Sequence, residues 1–223
     1  MAQDFSVSFG DNASLTARSI QLFILITILS VVPGLAIMVT CFPFIVTVLS
    51  ILRQAIGLQQ APPNMLIVSL ALFLTYFVME PVFMAAWTGG VDPLLAGDIE
   101  VEQAFIQTMD PFRGFMVARV DPDTFAALSD LRPDENAVAM SKDSELSILV
   151  PSFLLSEISR AFEVGFLVFL PFLIIDLVAA AVLMSMGMMM VPPAVVSLPF
   201  KLAFFVVADG WSLVSSALVR SYF

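Results

Sequence analysis

The side chains best equipped for chemistry in this chain are a few charges stranded in apolar surroundings. Asp176 sits inside PFLIIDLVAAAVL and Lys201 inside LPFKLAFF. Glu157, Arg160 and Glu163 follow one another at spacings of three, and Glu80 precedes Pro81 near the end of another apolar run. A charge withdrawn from water is costly unless a partner or a wet cavity meets it. Asp176 can stay protonated, pair with a cation, or hydrogen-bond across helices. With no second acid beside it, the expectation is a buried structural carboxylate rather than a proton relay. Arg160 can pair with Glu157 or Glu163 within one turn, which leaves one carboxylate over. Lys201 has no acid within a turn, Asp209 being two turns on, so its partner lies elsewhere in the fold or in a neighbouring copy. Glu157 and Lys201 are therefore expected to pair between subunits. Glu80 reads as a helix-end carboxylate at a membrane interface.

Other chemistry is excluded by what is missing. The chain has no histidine, so it lacks the commonest general base and the commonest metal ligand. No nucleophile–base pair or metal-ligand cluster can be assembled from its motifs. No catalytic residue, metal or cofactor is expected, and the chain is not read as an enzyme. The single cysteine, Cys41, lies in an apolar run and rules out an intrachain disulfide.

The methionines form the strongest irregularity. Five of the thirteen, Met184, Met186, Met188, Met189 and Met190, fall within seven residues around Gly187. At about 100° per residue they point all round a helix rather than along one face. Ordinary membrane-helix filler would explain them, but leucine would serve that purpose equally well. Methionine adds a flexible, unbranched, adaptable side chain. Beside Gly187 and Pro192-Pro193, the cluster reads as a compliant apolar loop at the tip of a hairpin.

The elements that must position these groups are helices in an apolar setting. The chain is 60% hydrophobic and 13% charged, far from the near-half apolar and quarter charged make-up of soluble domains. Such a chain has to meet lipid or other apolar proteins. Thirty-four residues between Arg18 and Arg53 carry no charge, more than the roughly twenty that span a bilayer, with Pro33 and Pro43 as expected breaks. Further apolar runs occupy 65–88, 164–191 and 194–219. Pro62-Pro63 and Pro192-Pro193 mark hairpin turns, with Asn64 expected to cap the helix that follows the first.

Residues 89–148 differ in kind. They hold twelve acidic and four basic residues, and so supply −8 of the net charge of −10. Short helices are expected near 98–109, 111–119 and 121–131. An acidic balance without a Lys/Arg cluster excludes nucleic acid and disfavours anionic headgroups. The fold class is thus all-α: membrane-type helical hairpins, four long apolar segments bent at Pro-Pro turns, with an acidic helical insertion. Segment boundaries are expected at 1–63, 64–88, 89–148 and 149–223. Placing Arg53 inside and the acidic insertion outside follows the positive-inside tendency. Met1–Phe5 lacks a basic n-region and an apolar h-region, so either a signal was removed or the first membrane segment directs insertion.

A resemblance now becomes visible. The stretch 165–211, GFLVFLPFLIIDLVAAAVLMSMGMMMVPPAVVSLPFKLAFFVVADGW, is similar to the signature region of the FliP family, export-gate components of flagellar and virulence type III secretion systems. LRQAIGLQQAPPNMLIVSLALFLTYFVMEPV (52–82) and SEISRAFEVGF (156–166) resemble the same family. One departure is Phe44, where the family usually has an arginine. The resemblance implies a pore-forming structural subunit of the flagellar export gate in the bacterial inner membrane and flagellar basal body. It implies a pentameric homo-oligomer, assembled with Q and R subunits and displaced toward the periplasmic side of the bilayer. Its partners would be the B and A export components and unfolded flagellar substrates. It also implies that the five methionines form a pore gasket, and it supports the Glu157–Lys201 pair between neighbouring copies. A proton- or ion-coupled transporter using Asp176 and Glu80 is the alternative, but inverted repeats are not evident.

Overall fold

Helix is the only regular structure among the described residues, which in this computed structural model are 15–58, 62–131, 140–188 and 190–223. The readings of Met1–Phe5 and of Met189 fall outside them. The contacts divide the chain into two units, Met1–Ile37 and Met38–Phe223. The first unit is described as α1, Leu15–Met38, whose Ile20–Met38 stretch is long and apolar enough to cross a membrane. Of the two breaks expected in the first apolar run, the one at Pro33 is absent, since this helix continues through position 33, and the one at Pro43 is present just before that residue.

The second unit is built around α2, Phe42–Ile56. Pro43 opens it at a position where a missing N–H is harmless. Gly57, at φ 89°, closes it in the left-handed conformation, with its N–H on the Gln54 carbonyl. Phe44, Ile45, Val48, Leu49, Leu52, Ala55 and Ile56 are buried, and their spacing of three and four puts them on one stripe. Against that stripe pack α3, Asn64–Ala86, α7, Leu146–Ser185, and α8, Pro193–Val207. Gly165 lets α7 come close: a Cβ there would overlap the Ile51 side chain.

Proline ends fewer helices than its local chemistry suggests. Pro81 lies inside α3, Pro111 inside α5, and Pro151 and Pro171 inside α7. Tertiary packing holds each helix across the missing hydrogen bond. The two short helices expected at 98–109 and 111–119 are accordingly one helix, α5, Val101–Val117. Before it come a π-helical turn, Trp87–Val91, and the short α4, Asp92–Ala96. After it comes α6, Pro122–Ser129, capped by Asp121, whose carboxylate accepts the Thr124 N–H at 2.9 Å and its hydroxyl at 2.7 Å. Asn64 is the first residue of α3 rather than its cap, because Pro63 takes that place and the Asn64 Oδ1 accepts from Arg53.

The fourth apolar run is bent. After α8 the chain breaks at Asp209, which holds a left-handed φ of 47°, and restarts as α9, Gly210–Arg220, at 61° to α8. Asn64–Ala96 and Leu146–Ser185 are each long and apolar enough to cross a membrane, and the bent α8–α9 pair qualifies if counted as one span. Large apolar side chains such as Phe73, Phe77, Phe166 and Leu177 stay exposed on these helices. The all-helical, membrane-type architecture expected from the sequence is the one observed.

Candidate functional site

Antiparallel packing of α7 and α8 around the methionine-rich loop brings the stranded charges together. Ser197 and Lys201 stand four residues apart on α8 and so share a face. The Ser197 hydroxyl donates to Asp176 Oδ1 at 2.5 Å, and Lys201 Nζ donates to Asp176 Oδ2 at 2.6 Å. Lys201 Nζ also donates to the Ala55 carbonyl at 3.1 Å. Ala55 lies in the last turn of α2, where carbonyls lack helical partners and the helix dipole favours a cation. One ammonium on α8 thereby ties the C-terminal end of α2 to the body of α7, at Ala55 of the apolar cluster that also holds Leu52, Ile56, Phe172 and Phe205. The Lys201 side chain is 7% exposed and that of Asp176 35%. The carboxylate is therefore half-buried in a single copy, less enclosed than its apolar run suggests.

Sequence reasoning looked for the Lys201 partner within one helical turn and missed it across the hairpin. A signal was present: positions 176 and 201 are equidistant from the Met188–Met189 step, and residues equidistant from a hairpin tip face each other.

Beyond this junction α7 ends in a Schellman motif. The Met188 N–H bonds the Leu183 carbonyl at 2.9 Å and the Gly187 N–H bonds that of Met184 at 3.0 Å. Gly187 takes the left-handed conformation this cap demands, φ 75°. Pro192 precedes the first turn of α8 and Pro193 opens it. Four of the five cluster methionines are described, and all four are exposed: Met184, Met186, Met188 and, at 98%, Met190.

Glu157 occupies a second junction. It is fully buried on α7, where Arg119 Nε meets its Oε1 at 3.1 Å, Arg160 lies 3.6 Å away, and the Tyr222 hydroxyl donates to its other oxygen. Glu163, the remaining acid of the triplet, is exposed. Within one copy Glu157 and Lys201 are thus each engaged with other partners. Glu80 is exposed on α3. Pro62 and Pro63 lie between α2 and α3. Burial pushes the Cys41 thiol up to about 12, so it stays protonated and unreactive at neutral pH. Among the described residues no three of His, Cys, Asp or Glu come together as a metal-holding group.

The model of the FliP family matches residues 25–218, which include the Asp176–Ser197–Lys201 junction, Glu157 with Arg119 and Arg160, and the loop between α7 and α8. The chain belongs to the FliP family. Its similarity to individual FliP proteins runs nearly end to end. It is 49% identical to the flagellar biosynthetic protein FliP of Caulobacter vibrioides over 225 residues, covering all of this chain and 84% of that one. It is 48% identical to the Agrobacterium fabrum FliP over 212 residues, 95% of this chain and 86% of that one. With the Bacillus subtilis FliP it shares 41% over 218 residues, 98% of this chain and 97% of that one.

Proposed function

We propose that this FliP-family chain is a structural, pore-forming subunit of the flagellar type III export gate in the bacterial inner membrane. It assembles with further copies of itself, five by family resemblance, and with Q and R subunits. The complex passes unfolded flagellar proteins delivered with the B and A components, and its assembled body is displaced toward the periplasm. The observation that carries this reading is the loop of exposed methionines on a hairpin whose base is anchored by Asp176, Ser197, Lys201 and the end of α2. An export channel must pass varied chains without leaking ions. A ring of apolar side chains can dewet and close, and methionine can repack around each substrate. Several copies each placing this loop on a common axis would form a deformable gasket from Met184, Met186, Met188, Met189 and Met190.

Between copies we place an ion pair of Glu157 with Lys201 of the next subunit. An ammonium has three donors, and two of those on Lys201 are used within its own chain. The test is native mass analysis of the detergent-solubilised complex co-expressed with Q and R subunits. Charge reversal at Glu157 or Lys201 alone should abolish the oligomer, and Glu157→Lys combined with Lys201→Glu should recover part of it. An intact oligomer in both single reversals would remove the pair. The ion-coupled transporter reading predicts a different pattern, in which Asp176→Asn assembles normally and yet does not secrete.

A further inference from the structure

Ser221 and Tyr222 lie just beyond α9, and the gasket reading assigns them nothing. The Tyr222 ring is held on three sides: Phe44 meets it edge-on at 5.7 Å, Phe115 stacks on it at 6.0 Å, and the Arg119 guanidinium lies 4.1 Å from its centroid. Its hydroxyl donates to Glu157. Arg119 completes the ring of contacts, donating from Nε to Glu157 at 3.1 Å and from an amino group to the Ser221 carbonyl at 2.9 Å. Burial, with the Glu157 charge next in weight, pushes the Tyr222 hydroxyl up, so it remains a donor throughout the neutral range. Phe44 belongs to α2, Phe115 to α5 and Glu157 to α7, while Arg119 stands in the link between α5 and α6. Tyr222 therefore joins α2, α5, α7 and the α5–α6 link at one point, in addition to the packing of α5 along α3.

We propose that the segment following α9 is a clasp: Tyr222 locks the arm formed by α5 and α6 onto α7 and α2, and the arm closes only when that segment is in place. Arg119 is the residue on the arm that the clasp grips. Its two bonds reach 38 and 102 positions along the chain, so neither forms from local structure. Chains emerge from the ribosome N-terminus first, so residues 221 and 222 are made after all the elements they join. Locking of the arm is thus a late step that reports completion of the α8–α9 pair. This goes beyond the export-gate reading and does not depend on it.

Cys41 provides a native reporter. It is the one cysteine of the chain, it is fully buried, and it lies in the cluster against which Tyr222 packs. The full-length chain in detergent is treated with N-ethylmaleimide, and hydrogen–deuterium exchange is followed in parallel by mass spectrometry. Tyr222→Ala should speed Cys41 labelling about tenfold or more and raise exchange across residues 112–121, while α8 keeps its protection. Tyr222→Phe keeps the ring and loses the hydroxyl, and should move both readouts the same way by a smaller factor. If Tyr222→Ala does not give folded protein, Tyr222→Phe decides by the same criteria. Parental labelling and parental exchange in the folded variants would overturn the clasp, as would a loss of protection spread evenly over all helices.

Discussion

Lys201 has three N–H donors, and the chain uses one on a carboxylate and one on a helix-end carbonyl. Losing one partner of a buried pair costs about 3–5 kcal/mol because the other charge is left uncompensated. Asp176→Ala should show that full cost, since the abandoned ammonium is the better-buried member. Asp176→Asn keeps acceptors for Ser197 and Lys201 and should cost less. Lys201→Ala leaves a carboxylate that is one-third exposed, which lowers the expected cost to about 2 kcal/mol. Thermal unfolding in detergent, followed by circular dichroism, should give that order, and equal losses for Asp176→Asn and Asp176→Ala would contradict it. Cys41 allows a second check. Its thiol is raised from 9.0 to about 12, so at pH 8 it should react with maleimide about 10³-fold more slowly than a free thiol. The neutral thiol contributes its full share of stability below pH 9, and that share fades as pH rises toward 12. Reaction at the free-thiol rate in native protein would refute the burial.

Each helix depends on a small number of chemically specific positions. Gly165 sets the approach of α7 to α2, and Gly165→Ala would push its Cβ into the Ile51 side chain. Overpacking of this kind costs about 1–3 kcal/mol. Ile51→Ala should recover most of that loss in the double variant, and simple additivity of the two changes would show that the contact is not the cause. At α6 the cap is electrostatic. Hydrogen bonds from Thr124 hold the Asp121 carboxyl below its ordinary 3.8. The cap therefore contributes above that value and is lost as pH falls through the lowered one. Asparagine caps without titrating. Amide exchange in α6 between pH 5 and 3 should rise in the parent, relative to the intrinsic rate, and stay flat in Asp121→Asn.

Across the whole molecule, apolar surface exceeds what one chain can bury. Phe73, Phe77, Phe166, Leu177 and Val207 remain exposed after folding, an arrangement that lipid or further subunits must complete. The gasket proposal turns that incompleteness into function. Deleting Met188–Met190, or replacing those residues by alanine, should raise ion conductance through the assembled complex while the native mass stays unchanged. Leucine at the same positions should keep the seal and impair secretion, because a branched side chain adapts less readily. Parental conductance in the shortened and alanine forms would return the methionines to the role of filler.

The family came from the resemblance of 52–82, 156–166 and 165–211. Composition and periodicity by themselves determined the helical membrane class and pointed to a polar segment at 89–148 and a hairpin tip between Ser185 and Pro193. These follow from hydrophobic runs and from Gly and Pro chemistry, which act over a few residues and are legible without a fold. Long-range pairing was not. Asp176 and Lys201 meet over 25 positions, and Arg119 reaches Ser221 over 102. Local spacing cannot rank such partners, because the entropy of closing a loop grows only slowly with its length. Likewise Pro111 reads locally as a helix stop, yet α5 runs through it, since packing along α3 outweighs one missing hydrogen bond. Which charge neutralises which, and which prolines are tolerated, depended on packing that only the assembled helices provide.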